Sequence, residues 1–115
     1  MRPAPAIGID LGGTKIEGIV LDGETVLVRR RIPTEAERGY EHVVERIAAL
    51  VADLRGEVPA AQGIGIGTPG ALSARTGLLK NSNTQCLNGR PLLRDLERRL
   101  AQPLRMENDA NCFAL

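Results

Sequence analysis

An acid, two glycines, a hydroxyl and a lysine stand within one short stretch, Asp10-Leu11-Gly12-Gly13-Thr14-Lys15. An apolar run leads into it from Ala6, and another resumes at Ile16. Strand, tight glycine turn and second strand is the simplest reading. Such a turn gathers bare backbone N–H groups, one hydroxyl and one ammonium at a single point. Backbone donors of this kind favour phosphate oxygens, and a neighbouring carboxylate can hold hydrated Mg²⁺. Gly12, Gly13, Thr14 and Lys15 are therefore candidate phosphate contacts, and Asp10 is the candidate carboxylate. For Lys15 a solvated position at the mouth of the turn is an equal alternative.

Two familiar phosphate loops do not fit. Gly8 and Gly13 have the separation of a Walker loop, but Thr14-Lys15 is in reversed order, and a strand follows instead of a helix. Gly65-Ile66-Gly67-Thr68-Pro69-Gly70 matches a dinucleotide fingerprint in letters only. Pro69 interrupts it, and the segment after it is turn-rich rather than helical.

The elements that must position these groups follow from periodicity. Strands are predicted over Ala6–Ile9, Ile16–Leu21 and Thr25–Ile32, with Asp22-Gly23 as a hairpin signal. Thr34-Glu35-Ala36-Glu37 fits a capping box, although Gly39 defers the helix start. Tyr40, Val43, Val44, Ile47, Leu50, Val51 and Leu54 then form one apolar stripe at helical spacing, with Gly56 and Pro59 as the stop. This helix is expected to cover one face of the sheet. A short strand, Gln62–Gly67, carries so many glycines that close approach by a ligand or another backbone is implied. Leu78-Leu79 is a brief apolar piece. A second helix is predicted from Pro91 through Leu100, then a strand at Leu104–Glu107, and a further helix from Cys112.

The segment Lys80–Gly89 holds Asn81, Asn83, Gln85 and Asn88, neutral donors and acceptors suited to a polyol such as a sugar. An ordinary turn-rich surface loop has the same composition.

The chain has 115 residues, 43% hydrophobic, with a net charge of +1. This is enough for one domain with a core, and it argues against disorder. Near-neutral charge and only two aromatic residues, Tyr40 and Phe113, argue against a nucleic-acid binder. No apolar run approaches the ~20 residues of a membrane span, and the first residues lack a signal-peptide core. Cys86 and Cys112 show neither metal spacing nor a disulfide framework, so reduced thiols in the cytoplasm are expected. His42 reads as a surface helix residue, not a ligand, and Arg29-Arg30-Arg31 as a solvated strand edge.

Asp10–Lys15, Gly65–Gly70 and Glu107-Asn108-Asp109-Ala110-Asn111, in this order, resemble the motifs of the ROK family (repressors, open reading frames and kinases). Lys80–Asn83 followed by Leu87-Asn88-Gly89 is most similar to its fructokinase, N-acetylglucosamine kinase and glucokinase branch. The resemblance implies an α/β fold: the N-terminal lobe of the actin/hexokinase-like (ribonuclease H-like) architecture. That lobe has a mixed sheet with three antiparallel strands first and helices on both faces. Residues 1–115 would be this lobe, with the C-terminal lobe absent from the chain.

The implied activity is ATP- and Mg²⁺-dependent phosphorylation of a hexose or amino sugar. Asp109 matches the family's catalytic base, and an N-cap role is compatible with it. Asp10 matches the carboxylate on the Mg²⁺ side, acting through water. Gly70, Asn83, Asn88, Asn108 and Asp109 fall where the family meets its sugar. Zinc is implied only for the absent lobe, through which the full-length protein is expected to dimerise. The lobe alone is expected to be inactive. The alternatives are a non-catalytic sugar-binding module and a sugar-responsive regulator without its DNA-binding domain.

Overall fold

A computed structural model of the chain describes residues 4–68, 71–72, 79–80 and 85–108. β1 (Ala6–Leu11), β2 (Lys15–Asp22) and β3 (Thr25–Pro33) form the expected antiparallel meander. Gly23, at φ 64, makes the β2–β3 turn, a backbone region that glycine enters without steric cost. Val20 pairs with Val28 but Leu21 with Val26, so a bulge leaves Leu27 opposite no residue and 45% exposed.

The 18-residue α1 (Tyr40–Glu57) buries every residue of the expected stripe, and Ala48 with them. β4 (Gly63–Thr68) then pairs parallel with β1. The short strands β5 (Ala71–Leu72) and β6 (Leu79–Lys80) pair with each other. α2 (Leu92–Leu100) begins after Pro91 and buries Leu92 and Leu96. β7 (Arg105–Asn108) adds parallel to β4. The main sheet has the order β3-β2-β1-β4-β7.

One core joins the sheet to both helices. Ile7, Ile9, Leu11, Ile16, Val20, Ile64 and Ile66 pack with the α1 stripe and with Leu92 and Leu96. Gly18 lies under α1, where a Cβ would stand 2.7 Å from Leu54 Cδ1. The Tyr40 hydroxyl donates to Asp95 Oδ2 at 2.6 Å, and the Arg90 guanidinium lies 5.0 Å from the Tyr40 ring centre. Burial, then the hydrogen bond to the Asp95 carboxylate, pushes the Tyr40 phenol well above its ordinary pKa. Arg99 Nε meets Glu45 Oε2 at 2.8 Å and ties the outer surfaces of the two helices.

α1 and α2 thus share one face of the sheet. This follows from parallel crossovers that run in the same direction and keep one hand. The further helix expected from Cys112 lies outside the described residues.

Two local expectations change. Gly56 does not stop α1; it lies inside the last turn, and the Val58 N–H still donates to Leu54 O at 2.9 Å. Thr34 is not a helix cap. Glu35, at φ 57, and a short 3₁₀ turn at Ala36–Arg38 separate it from α1, which starts after Gly39 without a side-chain cap.

Candidate functional site

The glycine turn is a knot of backbone contacts. The Gly12 N–H donates to Lys15 O at 3.0 Å. A Cβ on Gly12 would lie 2.7 Å from that same oxygen, so only glycine fits. Thr34, fully buried, closes the knot from the end of β3. Its N–H donates to Thr14 O at 2.9 Å and its hydroxyl to Gly12 O at 2.8 Å. Gly13, Thr14 and Lys15 remain exposed at the surface. The sequence pattern around Thr34 suggested a cap, and nothing local signalled its partner 22 residues away.

Asp10 is half-buried just before the turn and forms no ion pair among the described residues. Burial, and then the negative charge of Glu17, raise its pKa above the ordinary carboxylate value. Glu17 is its register partner across the β1–β2 pair. A half-buried carboxylate without an ion pair among the described residues suits a cation, so Asp10 fits the part of a Mg²⁺-side ligand acting through water. Glu17 itself is already neutralised. Arg31 Nη2 meets its Oε2 at 2.7 Å and Arg29 Nη1 its Oε1 at 2.5 Å. The Arg31 hydrogen bond holds the Glu17 pKa below the usual range. The basic run of β3 is therefore an ion-paired edge: Arg30 reaches Asp53 at 3.3 Å and Glu57 at 2.9 Å on α1. Glu17 escaped the sequence reading: the Asp22–Thr25 turn alone would set it opposite Arg30, and the bulge beyond Leu21 shifts its partner to Arg31.

The strain at Asp10 has a sign. With the folded-state pKa raised, both states are protonated below the ordinary carboxylate value and the penalty is absent. It grows as pH rises through the interval up to the folded value and is complete above it. Asp10→Asn, measured calorimetrically without divalent cations, is expected to melt a few degrees above the parent at neutral pH. The difference should close in acid. A less stable Asn variant at neutral pH would refute this account.

Register brings the remaining candidates toward Asp10. Asp10 pairs with Gly67, Gly67 with Glu107, and Thr68 with Asn108. The C-terminal ends of β1, β4 and β7 therefore finish at one edge of the sheet, each about 4.8 Å from the next. Ligands of open α/β sheets bind at such an edge. Gly63 and Gly65 have open space where a side chain would stand, so no other backbone among the described residues makes the close approach expected of a glycine-rich strand at these two positions. Asn88 is half-buried in the turn after Leu87, ahead of α2. Asn108 closes β7. Gly70, Asn83 and Asp109 lie outside the described residues.

His42 Nε2 lies 2.9 Å from Glu35 Oε1, a helix-surface pair. Among the described residues no group of three or more His, Cys, Asp or Glu could hold a metal ion. Among the described residues no helix is long and apolar enough to cross a membrane. Cys86 is half-buried against the core as a free thiol.

The sequence profile of the ROK family matches residues 6–115. The chain belongs to the ROK family. Among ROK relatives, the N-acetyl-D-glucosamine kinase of Haemophilus influenzae is 44% identical over 112 residues, 94% of this chain and 36% of the relative. That of Aliivibrio fischeri is 40% identical over 109 residues, with the same shares covered. The chain thus spans about a third of these relatives' length, at 36%.

Its fold is that of solved ROK hexokinases. The ROK hexokinase of Thermus thermophilus superposes with a TM-score of 0.78 at 37% identity, covering 93% of this chain and 36% of that one. The ROK family glucokinase of Streptomyces griseus, solved with glucose and AMPPNP, gives 0.80 at 31% identity, covering 93% and 34%. A ROK transcriptional regulator, at 16% identity and TM-score 0.72, shares the fold.

Proposed function

We propose that the complete protein carrying this chain transfers the terminal phosphoryl group of ATP to a hydroxyl of a hexose or N-acetylhexosamine. The observation that carries this reading is the shared edge, where the Gly12–Lys15 turn with Asp10 and the end of β7 with Asn108 converge. Residues 1–115 supply the N-terminal lobe, and the other wall of the cleft comes from sequence beyond this chain. The relatives named above favour an N-acetylglucosamine or glucose substrate over fructose.

The roles follow from the chemistry of the groups. Gly13, Thr14 and Lys15 hold phosphate oxygens, Gly12, whose N–H is spent on Lys15 O, shapes the turn instead of donating, and Asp10 keeps Mg²⁺ beside them through water. Mg²⁺ neutralises phosphate charge when bound. Asn108, Gly70, Asn83 and Asn88 orient the sugar by neutral hydrogen bonds. Asp109 accepts the proton of the attacking hydroxyl, a poor nucleophile at neutral pH. A cytoplasmic setting and a dimer formed through the other lobe accompany this reading, as does zinc confined to that lobe.

Coupled ADP release by the complete protein tests it, with N-acetylglucosamine, glucose, mannose and fructose each supplied with Mg²⁺ and ATP. Turnover with at least one of them is expected. Sugar binding without turnover would replace the kinase by a binding module.

A further inference from the structure

Thr34 has a role that neither its position nor its local sequence pattern announces. It is fully buried, and both its polar backbone donor and its hydroxyl are spent on carbonyls of the glycine turn: Thr14 O at 2.9 Å and Gly12 O at 2.8 Å. In a planar trans peptide the C=O and the following N–H point in opposite directions, and the described chain has no cis peptide. Drawing Gly12 O inward onto the Thr34 hydroxyl therefore turns the Gly13 N–H outward. Gly13 is exposed, and its N–H meets no backbone partner among the described residues.

We propose that Thr34 is a positioning residue: by holding Gly12 O, it aims the Gly13 N–H at a phosphate oxygen of the bound nucleotide. This rests on the phosphate reading of the turn given above. Thr34 touches no substrate; it presets one donor, so that binding does not bear the cost of ordering it. Valine has the shape of threonine and lacks only the hydroxyl. In Thr34→Val the Gly12–Gly13 peptide loses its inward anchor and is free to rotate, while the Thr34 backbone bond to Thr14 is retained. Serine restores the anchor.

The test compares dissociation constants of AMPPNP with Mg²⁺, adenosine and sugar for the complete protein, Thr34→Val and Thr34→Ser. Thr34→Val is expected to weaken AMPPNP by about tenfold, the worth of one hydrogen bond to a charged group. Adenosine and sugar affinities should stay unchanged, and Thr34→Ser should recover most of the loss. Unchanged AMPPNP affinity in a folded Thr34→Val, or equal losses for AMPPNP and adenosine, overturns the inference. The Gly13 amide resonance of the unmutated protein gives a second measurement that needs no variant. It should shift on adding AMPPNP and not on adding adenosine; an unmoved resonance likewise overturns the inference. If the unmutated protein binds AMPPNP no better than adenosine, the phosphate reading of the turn fails first and takes this inference with it.

Discussion

Asp109→Asn in the complete protein is expected to lower kcat by about 10²–10⁴-fold, the usual contribution of a positioned general base. KM for sugar and for ATP should change little. Asparagine keeps the size and most hydrogen bonds of aspartate but cannot take up the hydroxyl proton. Asp109 matches the family's catalytic base, and sheet topology supports the proposal. β7 pairs with β4 through Asn108, and β4 pairs with β1 through Asp10. Asn108, the sequence neighbour of Asp109, therefore ends β7 at the end of the sheet where the glycine turn stands. Two strand spacings, about 10 Å, separate the end of β7 from the end of β1. Steady-state kinetics by coupled ADP release, with a melting curve to verify folding, measures the effect. Equal turnover in both proteins would defeat the assignment.

Gly12→Ala is the second large effect. The added Cβ would stand 2.7 Å from Lys15 O, a backbone atom held in the turn by its own hydrogen bond from Gly12 N–H. Neither side can yield cheaply. Gly12 O is fixed by Thr34, and Lys15 is the first residue of β2. The turn must open, and its N–H groups lose their common aim. Loss of two hydrogen bonds to charged phosphate predicts a KM for ATP raised by about 10²-fold. Gly18→Ala is the matched control. Its Cβ would also come within 2.7 Å of another atom, but that atom is the tip of the Leu54 side chain, which can move. Gly18→Ala should lower the melting temperature and leave KM for ATP alone. An ATP dependence lost equally in both variants would mean that Gly12 acts only through stability.

Much of this fold was readable residue by residue. Three apolar runs close together and Asp22-Gly23 located the meander, because short β-branched runs between turn signals favour strands. The stripe from Tyr40 to Leu54 located α1 by its helical period. What escaped depended on partners far along the chain. Thr34 sits in a pattern that reads as a cap, yet Glu35 and Gly39 carry the chain away from the helix start and leave its hydroxyl to Gly12. Arg29 and Arg31 read as a solvated edge until the register of β2 and β3 sets them against Glu17. The neighbourhood of β1 and β4, on which the candidate site depends, has no periodic signature. That pairing appears only in the fold itself.

The order of the sheet also sets an order of assembly. β1, β2, β3 and Thr34 are neighbours in sequence, so the turn and its lock need only short loop closures. The pairing of Ala6 with Gly63 waits until α1 has been made, and Gly65 with Arg105 until α2 has. During synthesis from the N-terminus, the phosphate-facing turn can therefore be finished well before the opposite end of the site exists. In the interval β1 offers a free edge bearing Ile7 and Ile9, the side to which β4 will later bind. That unpaired edge is where the emerging chain is most open to the wrong partner, and the arrival of β4 closes it.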